Sequence, residues 1–361
     1  MPKSVACFVS PHGYGHAARA CAVLSAIHRC QPDSHFEIFT RVPPWFFAES
    51  LAAPFTYHEL LTDIGLVQTN SLQEDVVATI GRLTEFLPFH PELLQKLAGR
   101  LGPECRLVLC DIAPLGIATA TELGVPSILI ENFTWDWIYA GYPALAGQIQ
   151  ARIDYLRGLF QSATHHIQTE PVCAPQPAAR TVPPVSRAIR VQADDVRRRL
   201  GIAAGQKMVV LTMGGNRWDF AALDRLARFD NIVFVIAGGN GAPPRPPANL
   251  RLLPANSGDF FHPDLINAAD AVIGKVGYST LAEVYQAGTP FGYVPRPQFP
   301  ESPALTAYIE ANLPALEFTP TELAGSGWLN KVPQLLALPK IERPAANGAE
   351  QIARFVCALL G

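Results

Sequence analysis

The sequence predicts two doubly wound α/β domains in tandem. Its 361 residues exceed the roughly 250–300 at which a single hydrophobic core stops growing, so two domains are expected. Short apolar runs alternate with helical stretches in both halves, which is the pattern of buried parallel strands joined by crossover helices. Hydrophobic residues form 49% of the chain and charged residues 16%, which indicates an ordered globular protein.

Strands are predicted wherever four to seven apolar residues occur together. In the first half these runs are residues 5–9, 36–40, 107–110 and 127–130, with helices over 16–29 and 117–123. In the second half they are residues 208–213, 232–237, 250–253, 271–273 and 291–294, with a helix over 279–287 that ends at Gly288. Ligands of such sheets bind beyond the carboxyl ends of the strands.

A proline-rich segment separates the two halves. Pro171, Pro175, Pro177, Pro183 and Pro184 lie close together, a density that disfavours helix and sheet. We therefore expect a first domain over residues 1–170, a linker over 171–190 and a second domain over 191–345. Residues 346–361 are expected to form an amphipathic helix that packs back on the body. The alternative for 171–190 is a long surface loop inside one domain.

The bulk properties exclude several classes of protein. A formal charge of −3 provides no basic surface for nucleic acid. No apolar run approaches the roughly 20 residues that span a bilayer, and the N-terminus lacks the layout of a signal peptide. The seven cysteines are scattered, so we expect neither a disulfide framework nor a zinc site. We therefore expect a cytoplasmic protein with no transmembrane segment, although peripheral membrane contact is compatible with the sequence.

The turn after the first predicted strand is the first candidate site. Residues 10–19 read SPHGYGHAAR, where Gly13 and Gly15 allow a tight turn before the helix. His16 would lie near the helix N-terminus, where a neutral imidazole is favoured and can accept a proton from a hydroxyl. A histidine that only caps the turn is the alternative. His12, Tyr14 and Arg19 would face an acceptor, together with the two glycines.

Asp111 ends a strand of the same predicted sheet. A carboxylate at that edge could orient His16 and stabilise the imidazolium that forms on proton transfer. A helix N-cap is the alternative role for Asp111. Aromatic residues follow neighbouring strands, and of these Trp135 and Trp137 are candidates for an acceptor pocket or for the core.

The second half carries a turn suited to a diphosphate. Residues 274–283 read GKVGYSTLAE and combine a strand end, a glycine turn, hydroxyls and a helix start. The candidate donor-binding residues are Lys275, Gly277, Tyr278, Ser279, Thr280 and Glu283, joined by Gly214 and Gly215 after an earlier strand and by Glu301 in a later loop. A purely structural glycine turn is the alternative. The chain has no Asp-x-Asp and no His/Cys cluster at ligand spacing, so no metal site is expected.

This second-half run resembles the donor-binding segment of GT-B glycosyltransferases, including the bacterial peptidoglycan N-acetylglucosaminyl transferase group. The resemblance implies two Rossmann-like domains facing across a cleft. It places the diphosphate at Gly277, Ser279 and Thr280, the ribose at Glu283 and the donor sugar near Glu301. Lys275 departs from the small or hydroxyl residue common in the family. Plant UDP-glycosyltransferases place a base histidine after the first strand, supported by an aspartate, which is similar to the positions of His16 and Asp111.

The first half also resembles the N-terminal region of plant L-arabinokinase and its bacterial relatives. The matching segments are HGYGHAAR over 12–19, DIAP over 111–114 and NFTWDWIY over 132–139. The kinase half of that enzyme is missing from this chain, so sugar phosphorylation is not implied.

Together the residues and the resemblances predict an inverting, metal-independent glycosyltransferase. It would use no cofactor, take a nucleotide-diphosphate sugar (most simply a UDP-sugar) as co-substrate, and act on a small-molecule or lipid-linked acceptor hydroxyl. A nucleotide-sugar epimerase of the same fold and a non-catalytic nucleotide-sugar-binding protein are the alternatives.

Overall fold

The protein folds into two compact units. The computed structural model describes residues 4–70, 73–176, 180–214, 221–238, 245–254, 258–344 and 347–361. One unit consists of Met1–Ser186 with Ala346–Gly361, and the other of Arg187–Ala345. None of the described helices is long and apolar enough to cross a membrane.

The first unit is built on a seven-stranded parallel sheet. The strands of this unit, two of them outside the sheet, are β1 (Ser4–Val9), β2 (His35–Thr40), β3 (Phe55–Glu59), β4 (Gln68–Asn70), β5 (Gln73–Glu74), β6 (Cys105–Asp111), β7 (Ser127–Glu131), β8 (His165–Thr169) and β9 (Arg180–Val182). The order across the sheet is β3-β2-β1-β6-β7-β8-β9, and β4 and β5 form a separate antiparallel pair. The helices between the strands are α1 (Tyr14–Cys30), α2 (Pro44–Ser50), α3 (Val76–Phe86), α4 (Pro91–Leu101), α5 (Pro114–Leu123), α6 (Trp135–Ala140) and α7 (Pro143–Gln161).

The second unit repeats this plan with six parallel strands. These are β10 (Lys207–Thr212), β11 (Ile232–Ala237), β12 (Leu250–Leu253), β13 (Ala271–Lys275), β14 (Phe291–Val294) and β15 (Ala315–Glu317), in the order β12-β11-β10-β13-β14-β15. Its helices are α8 (Ala193–Arg199), α9 (His262–Ala268), α10 (Tyr278–Ala287), α11 (Ser302–Asn312), α12 (Pro320–Ala324) and α13 (Trp328–Leu336), with a 3-10 helix over Leu223–Arg228. The predicted pair of doubly wound α/β units is therefore confirmed.

In each sheet the strand order reverses direction at one point. That point lies between β1 and β6 in the first unit and between β10 and β13 in the second. From the two strands at this point the chain crosses to opposite faces of the sheet. A crevice therefore opens between the carboxyl ends of the two strands. Both candidate sites of the sequence begin at these ends, since His16 follows β1, Asp111 ends β6 and Lys275 ends β13.

The proline-rich segment differs in part from the predicted linker. Residues 180–182 form β9, the edge strand of the first sheet, and pair with β8. Prolines are tolerated here because Pro183 and Pro184 lie after the strand, and an edge strand leaves one side without pairing demands. The boundary between the compact units falls at Ser186 and Arg187.

The terminal helix α14 (Gly348–Leu360) belongs to the first unit. Its apolar residues, including Ile352, Ala353 and Val356, join the core that contains α1 and the β1 face of the sheet. Gly348 is required at its start, because a Cβ there would lie 2.1 Å from the carbonyl oxygen of Pro183. The start of the helix thus packs against a segment that precedes it by more than 150 residues.

A disulfide joins α14 to α1, which differs from the expectation of unpaired cysteines. Cys30 at the end of α1 bonds to Cys357, 327 residues further along the chain. Such a separation gives no spacing signal, so the pair could not be recognised before the two helices were placed side by side. The other described cysteines are not joined in disulfides.

We predict that Cys357→Ser lowers the free energy of unfolding by about 2–4 kcal/mol in the oxidised protein, because the disulfide closes a very long loop. Urea denaturation measures the change, and Cys173→Ser, which alters a cysteine of the same unit outside the disulfide, is the control. Non-reducing peptide mapping should recover the peptides of Cys30 and Cys357 as one linked species. Recovery of both as free thiols from the air-oxidised protein would contradict this pairing.

Candidate functional site

The first candidate site lies at the carboxyl ends of β1 and β6. Gly13 precedes α1 with φ 79°, a left-handed conformation that turns the chain from the strand into the helix. This turn places His16 in the first turn of α1, where the imidazole is mostly buried. Its Nδ1 lies 2.9 Å from Oδ1 of Asp111. The structure therefore brings together the two residues predicted as base and supporting carboxylate.

A third residue, Arg19, completes this arrangement. Its Nη2 donates to Oδ1 of Asp111 at 2.7 Å and its Nε donates to Oδ2 at 2.8 Å, a bidentate contact. Arg19 and Asp111 are both buried, with side chains 1% and 2% exposed. His16 and Arg19 can reach the same carboxylate because positions three apart share one face of a helix.

The charges determine the chemistry of the carboxylate. Burial alone would raise the pKa of Asp111, but the Arg19 charge, its hydrogen bonds and the contact with His16 together hold that pKa below its ordinary value. Asp111 is therefore an anion at neutral pH. Its Oδ1 accepts the Nδ1–H of His16, which leaves the imidazole Nε2 available to accept a proton.

Two residues predicted to face an acceptor are instead internal. Arg19 also donates to Oδ1 of Asn132 at 2.8 Å and contacts Thr169, so its guanidinium supports the buried carboxylate rather than a ligand surface. Trp135 is fully buried and stacks on Tyr139 with ring centroids 5.7 Å apart, as a core residue does. Their polarity and aromaticity suggested a binding role, and burial gives the physical reason against it.

The other predicted acceptor-side residues are accessible in part. Gly13 is exposed, whereas His12, Tyr14, Gly15 and Trp137 are half-buried. The ring of Tyr14 stacks on Phe46 at 5.2 Å. Their exposure is compatible with contact to a ligand, and the acceptor-side role of these residues stays a prediction.

The backbone after Asp111 is strained. Ile112 adopts φ 43°, which is unfavourable for a β-branched residue. Such conformations cost roughly 1–3 kcal/mol and persist where surrounding contacts enforce them. Here Ile112 follows the carboxylate and bridges back to Val9 of β1. The strain thus accompanies the alignment of Asp111 with the end of β1.

The second candidate site lies at the carboxyl ends of β10 and β13. Gly274 allows these strands to approach, because a Cβ there would lie 2.4 Å from the carbonyl oxygen of Thr212. Lys275 ends β13 beside Gly214, whose Cβ position would lie 3.4 Å from the lysine Cε. Gly215, the second predicted glycine, lies outside the described residues. Helix α10 begins directly after Gly277, so its free N–H groups follow Lys275 closely along the chain.

The surroundings of Lys275 lower the pKa of its ammonium group. Burial, with a smaller contribution from the Arg296 charge, lowers its pKa from 10.5 to about 8, while Glu301 acts in the opposite direction. Glu301 is buried at the N-cap of α11, so the predicted loop acid lies in the same electrostatic environment as the lysine. A cation with this pKa carries most of its charge at neutral pH and is poorly solvated. It is therefore ready to bind an anion.

Glu283 lies in a buried network that the sequence did not reveal. Arg187 donates to Oε1 at 2.9 Å from Nη2 and at 3.2 Å from Nε, and Nδ1 of His262 lies 2.6 Å from Oε2. Burial would raise the pKa of Glu283, but the charges and hydrogen bonds of Arg187 and His262 hold it below its ordinary value. Both carboxylate oxygens are engaged, so a ribose diol could use only their remaining lone pairs.

The other predicted donor-binding residues differ in exposure. Tyr278 and Thr280 are buried, whereas Gly277 and Ser279 are half-buried and more accessible to a ligand. Residues missed from the sequence are Arg187 and His262 here, and Asn132 and Thr169 in the first unit. Within the described ranges, no group of three or more His, Cys, Asp or Glu side chains is arranged to hold a metal ion.

Comparison with known proteins places the fold among glycosyltransferases. The glycosyltransferase of kitacinnamycin superposes with a TM-score of 0.63 at 15% identity and covers all of both chains. A UDP-glucosyltransferase from Polygonum tinctorium, capable of glucosylating indoxyl, gives a TM-score of 0.60 at 14% identity, with 99% of this chain and 98% of that chain covered. The spinosyn forosaminyltransferase SpnP gives 0.61 at 13% identity over all of both chains. The chain therefore has the GT-B fold, as predicted.

In sequence, the chain is similar to L-arabinokinase of Arabidopsis thaliana, at 27% identity over 357 residues. The match includes 97% of this chain but only 34% of the plant protein, so the chain spans about a third of that relative's length. The predicted resemblances to GT-B glycosyltransferases and to L-arabinokinase are thus confirmed. No family model matches the chain.

We predict that Arg19→Met destabilises the protein by about 3–5 kcal/mol, because it leaves the buried Asp111 without its cation. The matched control is Arg29→Met in the same helix, where the arginine is half exposed and pairs with Glu350. It should cost less than about 1 kcal/mol. Urea denaturation at pH 7 measures both changes, and equal losses would show that the Arg19 pair does not support the unit.

Proposed function

We propose that the protein is an inverting glycosyltransferase in which His16 is the catalytic base. The observation that carries this proposal is the buried Arg19–Asp111–His16 network at the carboxyl ends of β1 and β6. A bidentate arginine fixes the carboxylate, and the carboxylate fixes the imidazole. This arrangement supports a base whose free nitrogen has one orientation, as general base catalysis requires.

In the proposed reaction, Nε2 of His16 accepts the proton of an acceptor hydroxyl. The hydroxyl oxygen attacks the anomeric carbon of the donor sugar, and the bond from that carbon to the diphosphate breaks. One displacement at this carbon inverts its configuration. The imidazolium that forms is stabilised by the ionised Asp111, whose own charge is already balanced by Arg19.

The second unit supplies the groups suited to the leaving diphosphate. These groups are the ammonium of Lys275, the free N–H groups at the start of α10 and the hydroxyl of Ser279, which follow one another closely along the chain. Positive groups placed before the reaction stabilise charge as it develops on the diphosphate. These protein groups support a mechanism that needs no metal ion.

The donor is proposed to be a uridine diphosphate sugar. A structural neighbour over nearly its whole length is named a UDP-glucosyltransferase. The acceptor is proposed to be a hydroxyl compound that contacts the accessible rim formed by His12, Gly13 and Tyr14. Glu283 is proposed to hold the nucleotide side of the site in shape through Arg187 and His262, and to contact the ribose through its remaining lone pairs.

The test of this function is product analysis with a panel of UDP-sugars, each incubated with and without hydroxyl acceptors. Transfer requires the acceptor and releases UDP together with a product that is heavier by one sugar. Conversion of the UDP-sugar without any acceptor would favour an epimerase, and binding without turnover would favour a non-catalytic protein. Either result would overturn the proposed transferase.

We predict that His16→Gln lowers kcat at least a hundredfold and leaves the affinity for UDP within about threefold, since a base contributes roughly 10²–10⁴ to the rate. Acceptor-dependent UDP release measures turnover, and calorimetry measures affinity. His28→Gln, in the last turn of the same helix, is the control and should keep full activity. Retained turnover in His16→Gln would refute the base role.

We predict that UDP affinity falls as the pH rises from 7 to 9. Lys275 is cationic below its pKa of about 8 and neutral above it, so its attraction for the diphosphate is present at the lower pH and lost at the higher. Lys275→Met should bind UDP roughly tenfold more weakly at pH 7 and lose this pH dependence. The control is Lys207→Met, which alters an exposed lysine paired with Asp270.

Stability should change in the opposite direction. The unfolded chain holds the Lys275 proton up to about pH 10.5, whereas the folded chain releases it near 8. The contribution of Lys275 to the stability of the unliganded protein should therefore rise with pH between these values, where the unfolded chain holds this proton and the folded chain does not. The difference in unfolding free energy between the wild type and Lys275→Met measures this contribution. If calorimetry gives the same UDP affinity at pH 7 and 9, Lys275 does not bind the diphosphate.

A further inference from the structure

A buried carboxyl group beside the first site takes no part in the proposed chemistry. Asp63 lies after β3 and is 3% exposed. Its Oδ1 accepts a hydrogen bond from Oγ of Ser10 at 3.1 Å, and that same hydroxyl oxygen accepts the backbone N–H of His12 at 3.4 Å. Ser10 is also fully buried. One hydroxyl group therefore connects the carboxyl of Asp63 to the loop that leads from β1 into the helix of His16.

The rest of the segment around Asp63 is held against the same loop. Oγ1 of Thr62 donates to the carbonyl oxygen of Val9 at 2.8 Å. Gly65 has φ +60°, and a Cβ there would lie 2.7 Å from Nδ1 of His12. Its carbonyl oxygen accepts the hydroxyl of Tyr139 at 2.9 Å. The segment 62–65 thus contacts the end of β1 and the His12 ring from one side.

The surroundings of Asp63 favour its neutral form. Burial, with a smaller contribution from the charge of Asp111, raises the pKa of Asp63 to about 8 against the opposing contributions of Ser10 and Trp135. Nε1 of Trp135 lies close to the carboxyl without a hydrogen bond of ordinary geometry, and Oδ2 of Asp63 has no partner among the described residues. The hydroxyl of Tyr139 is a further titratable group near it. Ionisation would leave a buried charge with one unpaired oxygen.

We propose that Asp63 is a positioning residue of the first site: its carboxyl group, acting through Ser10, fixes the loop of residues 10–13 and thereby the orientation of His16 towards Asp111. The two carboxyl groups then have different tasks. Asp111 is ionised and accepts a hydrogen bond from the imidazole, whereas Asp63 is neutral and fixes the loop that leads into the helix of His16. The importance of this for turnover rests on the proposed function, but the effect on the loop does not.

The test is hydrogen–deuterium exchange of the backbone amides of Ser10 and residues 12–16 in the full chain without any ligand. Asp63→Asn keeps a neutral group of the same shape, with an oxygen that can accept from Ser10, and should keep wild-type protection at pH 7. Asp63→Ala removes the acceptor and should lower protection at least tenfold. Asp33→Asn, in an exposed turn of the same unit, is the matched control and should have no effect.

A pH comparison separates positioning from a general loss of stability. After correction for intrinsic exchange rates, protection of residues 10–16 in the wild type should fall between pH 7 and 9.5, as Asp63 ionises. Asp63→Asn should show no such fall. This comparison decides the matter even if Asp63→Ala does not fold. The proposal is overturned if Asp63→Asn loses protection as Asp63→Ala does, or if wild-type protection does not change with pH.

Turnover provides the second readout. In a chain with transferase activity, kcat of the wild type at saturating donor should decline above pH 8, and Asp63→Asn should keep its kcat there. Any rise in donor KM that Lys275 causes should be the same in both proteins. If no transfer activity is found, the exchange results still stand, so failure of the proposed function and failure of the Asp63 role are distinguishable. An equal decline in both proteins would overturn the positioning role.

Discussion

The buried guanidinium of Arg19 orders the polar edge of the first sheet. It contacts Asp111, Asn132 and Thr169, which lie at the ends of three neighbouring strands, and it comes from the helix that follows a fourth. A lone carboxylate in this interior would take up a proton, because burial disfavours its charge. The arginine keeps Asp111 ionised, and an ionised carboxylate can only accept, so its Oδ1 takes the Nδ1–H of His16. The direction of the imidazole therefore depends on Arg19.

Both units hold a buried carboxylate whose charge is balanced by neighbouring basic groups, and both do so beside the point where the strand order reverses. In the first, a buried anion between β1 and β6 is balanced by Arg19. In the second, the buried Glu283 is balanced by Arg187 and His262. Lys275 of the same unit is a partly desolvated cation. The doubly wound sheet leaves strand ends unpaired where its order reverses, so polar groups gather there. The chemistry differs between the units because one edge holds a base and the other holds positive charge.

Much of the fold was predictable because buried parallel strands are continuous apolar runs. Strands β11, β12 and β14 have the predicted bounds, whereas β3 and β8 were missed because their sequences, FTYHE and HHIQT, are largely polar. The pairing of His16 with Asp111 followed from strand ends that meet at one edge. The role of Arg19 did not, although its spacing of three from His16 placed both on one helix face. Arg187 contacts a residue 96 positions away, and no local pattern signals such a contact.

The central claim is that the Arg19–Asp111 pair presents His16 as a base with a free Nε2. Nitrogen NMR of protein labelled with ¹⁵N-histidine measures this directly at neutral pH, and the spectrum of His16→Gln assigns the signals. We expect the neutral ring of His16 to carry its proton on Nδ1 and none on Nε2. A ring protonated on Nε2, with Nδ1 accepting from Arg19 instead, would contradict the account.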